Sequence, residues 1–185
     1  MKAVNFKNRD LPGIVREYND YKSEYENKYI YHMIDLLPEN GSFREVGCWQ
    51  AMPCAFMMVN GRPSYVEAVD VDLSKINAIR SQFEAYAEEN DIELAIVESG
   101  RSAQMEGRPV DITFIDAEKS YRYVREALDV HSKLTRLYIK VDDTSFRDDV
   151  KTRDAVMDFL EENEDWEFFH ENTQYPGQVT IKKVK

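Results

Sequence analysis

The residues with chemistry to offer sit where apolar runs end. Asp116 follows the run Val110 to Ile115, and Asp142-Asp143 follow the run Arg136 to Val141. Carboxylates brought together at two neighbouring strand ends can hold a hard divalent cation such as Mg²⁺ or Ca²⁺, or place a base beside a reacting group. Asp142-Asp143 followed by Thr144 also suits a helix cap or a turn. Lys119 and Lys140 are near enough in sequence to neutralise such a cluster without a metal. Asp70 lies near the end of a further run, Tyr65 to Val71. Its two oxygens give acceptor sites for both hydroxyls of a ribose. The stretch Glu45-Val46-Gly47-Cys48-Trp49-Gln50-Ala51-Met52-Pro53 reads as a strand end, a turn and a helix start. Such a turn aims free N–H groups and the positive end of a helix dipole at one spot, which suits a phosphate, a carboxylate or a ribose-bearing ligand. Gly47 permits close backbone approach there. Trp49 could lie against that ligand or belong to the core. Cys48 reads as a small buried residue, since no basic partner would activate it.

The elements that position these residues follow from hydrophobic periodicity. The chain reads as a helix over Pro12–Leu37, then strand 1 at Ser42–Val46 and a helix to about Asn60. Strand 2 at Tyr65–Val71 and a helix over Leu73–Asn90 come next, then strand 3 at Ile92–Val97 and strand 4 at Val110–Ile115. A helix over Glu118–Lys133, strand 5 at Arg136–Val141 and a helix from Asp149 to Asn163 follow. Strand 6 at Trp166–His170 and strand 7 at Gln178–Val184 are joined by a short loop at Tyr175-Pro176-Gly177, which suits an antiparallel pair. The expectation is one α/β domain over residues 1–185, a doubly wound seven-stranded sheet in the order 3-2-1-4-5-7-6 with strand 7 antiparallel. Helices cover both faces, and residues 1–40 form a helical extension or lid. Tyr18, Tyr21, Tyr25 and Tyr29 share a helical face that either packs in the core or touches a substrate.

Composition narrows the partners. The net charge of −11 argues against duplex nucleic acid or an anionic membrane as the main partner. No apolar run approaches the length of a membrane span, and Met1 to Asp10 lacks the apolar core of a signal peptide. The expectation is a cytoplasmic protein with free thiols acting on a small molecule, with no nucleic acid and no membrane as partner. His32, His131 and His170 show no metal-ligand spacing and read as surface or helix-face residues.

The order of motifs resembles the class I S-adenosylmethionine-dependent methyltransferases, over about Ser42 to Val184. The resemblance is to small members whose first turn reads E-[IV]-G-x-W-x-G and whose fourth strand ends in F-I-D-G-D-H-S-Y. Here these are Glu45-Val46-Gly47-Cys48-Trp49-Gln50-Ala51 and Phe114-Ile115-Asp116-Ala117-Glu118-Lys119-Ser120-Tyr121. Asp70 stands for the acidic residue after strand 2, and Asp142-Asp143 for the aspartate pair after strand 5. The resemblance implies S-adenosylmethionine as cofactor, with Glu45, Gly47, Trp49, Ala51, Asp70, Glu98 and Asp116 around it. It implies Asp116, Lys119 and Asp142 at the reacting atoms, and Asp116, Asp142 and Asp143 as ligands of any cation. Three departures mark this chain: Ala51 replaces a glycine, Pro53 a serine, and Glu118-Lys119 an Asp-His pair. The implied activity is methyl transfer to a small hydroxylated or amino acceptor. The departures favour an alternative, a non-catalytic protein that keeps the fold for binding or assembly.

Overall fold

The computed structural model describes residues 9–21, 24–99, 107–145, 151–174 and 177–185, with the side chains of residues 20–29 outside that set. Strands β1 (Ser42–Val46), β2 (Tyr65–Asp70) and β4 (Val110–Ile115) are buried almost throughout, as their near-continuous apolar runs require in a sheet covered on both faces. With β3 (Glu93–Glu98), β5 (Thr135–Asp142), β6 (Trp166–Asn172) and β7 (Gln178–Lys183), they form one sheet in the order β3-β2-β1-β4-β5-β7-β6. Neighbours from β3 to β5 run parallel, while β7 runs antiparallel to both β5 and β6. The expected order and the reversed strand are both present.

Strand register assigns the faces. Phe43, Val66 and Ile112 are partners, so one face carries these residues with Glu45, Ala68, Phe114, Lys140 and Asp142. That face packs against α1 (Leu11–Tyr21), α2 (Glu24–Leu36), α3 (Met52–Phe56) and, beyond the short α4 (Ser74–Asn77), α5 (Arg80–Glu89). Ile115, Ile139, Val141, Val179 and Ile181 face the other way, onto α6 (Tyr121–Leu134) and α7 (Thr152–Glu162). On this second face Arg44 and Glu67 meet in mid-sheet. Arg44 is fully buried, and its Nε donates to Glu67 Oε2 at 2.6 Å.

The differences from the sequence reading are local. The helix expected over Leu73–Asn90 is broken before Arg80, because Ile79 at φ −129° leaves the helical range. The helix expected from Glu118 begins at Tyr121, because the Ser120 hydroxyl accepts from Tyr123 N and caps it. The helix after β1 passes into a π-helical turn, Met57–Gly61. His131, expected on the surface or on a helix face, lies on α6 and is buried. Asp149, Val150, Tyr175 and Pro176 lie outside the described residues, as do the side chains of Tyr21, Tyr25 and Tyr29.

Candidate functional site

The carboxyl ends of β1, β2 and β4 meet around the turn after β1. Gly47 has φ +81°, and its N–H donates to Val69 O at 2.8 Å. An added Cβ would stand 2.6 Å from Ala117 Cα, so glycine lets the β1 and β4 ends touch. Trp49 and Ala51 are also left-handed, at φ 43° and 53°. Asp70 closes the turn, accepting from Trp49 N at 2.7 Å on Oδ2 and from Asp72 N at 3.0 Å on Oδ1.

Two cavities share Gly47, Trp49 and Asp116. The larger, about 610 Å³, runs over β2 and β4 and is lined by Asp70, Ser99, Ala117 and Tyr123, among others. The smaller, about 160 Å³, lies toward β5 and β7, between Glu45, Phe114, Asp142 and Gln178 below and Tyr18 and Ile30 of α1 and α2 above. Trp49, half exposed, borders both.

The expected residues divide accordingly. Glu45, Gly47, Trp49, Asp70, Asp116 and Asp142 line one or both cavities. Ala51 is fully buried and lines neither, so its methyl group points into the core. Glu98 is exposed at the end of β3 and lines neither, whereas its neighbour Ser99 does. Lys119 pairs with the nearly buried Asp143. Ser99, Tyr123 and Gln178 are cavity residues that the sequence reading missed.

The electrostatics follow burial. Burial first, then the charges of Asp116 and Asp70, holds the Glu45 carboxyl well above the usual carboxylate range, although Cys54 N donates to its Oε2 at 3.0 Å. Burial also pushes the Cys48 and Cys54 thiols up, which keeps them unreactive. Burial lifts the Tyr123 phenol to about 12 and lowers the Lys140 ammonium to about 8, the latter opposed by Asp142.

Asp116, Asp142 and Asp143 can each bring one oxygen within 4.8 Å of the others. Their surroundings do not fit a resident divalent cation. Lys119 already meets the Asp143 carboxylate, and Gln178 Nε2 donates to Asp142 Oδ1 at 2.5 Å. A hard cation wants six or more oxygens, and here an ammonium and an amide occupy part of the set. The expected Mg²⁺ or Ca²⁺ is therefore not supported.

No family model matches this chain, and no curated protein does. Solved structures do. An O-methyltransferase from Bacillus cereus in complex with SAH superposes with a TM-score of 0.67 at 15% identity, over 97% of this chain and 93% of that one. The SAH-bound Podospora anserina methyltransferase PaMTH1 gives 0.61 at 17%, over 96% and 89%. A tRNA methyltransferase of B. subtilis gives 0.62 at 9%, over 84% and 65%. The fold is that of the class I methyltransferases. Identities this low carry the fold and nothing finer.

One expectation is overturned. The exclusion of nucleic acid fails, because the same fold serves a tRNA methyltransferase among the neighbours. The physical reason is that a net charge of −11 sums the whole surface, while recognition depends on the local field at the site. Arg122 lines the larger cavity and is paired there with Glu126 at 2.8 Å. Among the described residues no helix is long and apolar enough to cross a membrane.

Proposed function

We propose that this protein transfers the methyl group of S-adenosylmethionine to a hydroxyl or amine of a small acceptor. The observation that carries the reading is the pair of cavities meeting at Gly47, Trp49 and Asp116. One is large enough for a nucleoside cofactor, and the other is a smaller chamber beside it. The donor set fits the cofactor. Each Asp70 oxygen accepts one backbone N–H and keeps a lone pair for a ribose hydroxyl. Ser99 and Tyr123 flank the space beyond the ribose. When bound, the cofactor supplies an electrophilic methyl group on a sulfonium.

The chain's own residues would do the rest. Asp116 stands where the two cavities join, and Asp142 lines the acceptor side. Lys119, held by Asp143, supplies positive charge beside the cluster. Tyr18 and Ile30 place the N-terminal helices over the acceptor chamber as its roof. That roof favours a small acceptor. A second reading, an RNA nucleotide as acceptor, is favoured by the neighbours that act on RNA.

Calorimetric titration with S-adenosylmethionine and S-adenosylhomocysteine tests the proposal. Binding of both at micromolar concentration is expected. No heat with either would overturn it and leave a scaffold that keeps the fold without the cofactor. Release of S-adenosylhomocysteine on addition of bulk tRNA or rRNA, and not of small acceptors, would decide for the second reading.

A further inference from the structure

Helix α2 lies over the acceptor chamber, which Ile30 lines, and it is held on two sides. On one side Tyr31 meets the Phe56 ring of α3 edge to face at 6.2 Å, and Met33 is buried in the core. On the other side His32 reaches β6. Its imidazole stacks on Phe169 at 6.3 Å with 23° between the planes, and it meets His170 edge to face at 4.8 Å. Phe169 packs in turn on Tyr138 of β5 at 5.2 Å. Among the described residues, His32 makes every ring contact that joins α2 to β6. In the sheet β6 lies next beyond β7, whose Gln178 lines the chamber. The His32 contact therefore fastens the roof on the edge side of the sheet.

The place suits the neutral imidazole only. His32 is half-buried, so a charge there loses part of its hydration. From β5 it feels the buried Lys140, from β6 His170, and from α2 itself the exposed Asp35. Phe169 offers no compensation, since its ring lies past the roughly 6 Å reach of a cation–π contact. Burial first, then Lys140, then His170, hold His32 below the ordinary histidine range, and Asp35 alone opposes them. A docked α2 thus favours the neutral ring. The stability this adds is complete above the unfolded histidine value, and it is lost as pH falls through that value toward the folded one.

We propose that His32 is a proton-operated latch on the roof of the chamber. Neutral, it holds the outer side of α2 on β6 and keeps the chamber covered. Protonated, it lets that side lift and opens the chamber toward the sheet edge, while Tyr31 and Met33 keep the inner side in place as the hinge. His32, Lys140, Phe169 and His170 line neither cavity, so the device governs access and takes no part in the chemistry proposed above.

Native-state hydrogen exchange on the full chain tests this. Amide rates are measured at about pH 7.5 and 5.5, and each is divided by the intrinsic rate at that pH. Protection of α2 relative to β1 and β4 should fall roughly threefold or more on acidification. His32→Phe keeps a ring and removes the charge, so it should match the wild type at the higher pH and show no fall. His32→Gln loses the ring and should be looser at both values, yet it too should show no fall, so the test survives a packing defect in the first variant. The wild-type His32 imidazole, followed by NMR, should titrate below the ordinary histidine value. Relative protection that ignores pH, a fall that persists in both variants, or a His32 that titrates at or above the ordinary value overturns the proposal. None of these results bears on cofactor binding, which calorimetry tests separately.

Discussion

Replacing Asp70 by asparagine probes the cofactor site with the smallest change in shape. In the wild type, Oδ2 accepts from Trp49 N at 2.7 Å and Oδ1 from Asp72 N at 3.0 Å. An amide offers one oxygen and one NH₂, so one of those two backbone donors must lose its acceptor. The site is partly open to water, so the stability cost stays near the lower end of an ordinary hydrogen bond, about 0.5–1 kcal/mol. Affinity should suffer more. One ribose hydroxyl loses a charged acceptor, and a hydrogen bond to a charged group is worth about 1.5–3 kcal/mol, or roughly 10- to 150-fold in Kd. Calorimetry with S-adenosylhomocysteine measures the affinity, and a thermal melt measures the stability separately. A large loss of affinity beside a small loss of stability is expected. Unchanged affinity in the folded variant would refute the placement of the ribose, and a collapse of the fold would make Asp70 a turn residue first.

Gly47→Ala should destabilise the protein by about 2–4 kcal/mol in urea, from a left-handed backbone and the crowding of Ala117; a wild-type midpoint would show that β1 and β4 can part at no cost. Glu45 has its folded-state pKa raised by burial, so it contributes stability at acid pH that is lost as pH climbs through that value. Glu45→Gln should therefore gain stability over the wild type progressively as pH rises above the unfolded carboxyl range, and a difference that is flat with pH would contradict this. Mg²⁺, Ca²⁺ or Mn²⁺ at millimolar concentration should leave the wild-type melting temperature unmoved, whereas Lys119→Ala should acquire a response; stabilisation of the wild type would show that the cation displaces Lys119. Glu67→Leu strands the buried Arg44 and should cost about 3–5 kcal/mol, most of it recovered when Arg44→Met is added. Additive losses in the double variant would mean that packing, and not charge, sets the cost.

Much of the fold was legible because burial on both sheet faces leaves continuous apolar runs, as at Tyr65–Val69 and Val110–Ile115. The order of strands followed from crossovers and from a short link before Gln178. What stayed hidden depends on pairing in space. Gln178 carries no local signal, since it reaches the smaller cavity only when β7 turns back along β5 beside Asp142. Tyr123 and Ser99 line the larger cavity because of where a helix start and a strand end fall, and periodicity does not resolve single residues there. The break before Arg80 was masked because Ile76, Ile79 and Phe83 keep helical spacing across it. Ala51, which the resemblance places beside the cofactor, is fully buried in the core and lines neither cavity, and only the folded turn shows this.

The Arg44–Glu67 pair has a consequence for how the chain assembles itself. Strands β1 and β2 are short, apolar and similar, and dispersion alone would tolerate several ways of laying one beside the other. Sliding β1 by one residue would set the guanidinium beside Val66 or Ala68, and no water reaches that place to solvate it. A buried charge without its partner costs several kcal/mol, comparable with the whole stability of an ordinary domain. The pair adds little to the finished protein, yet it acts as a proofreader, making the incorrectly joined sheet too costly to persist.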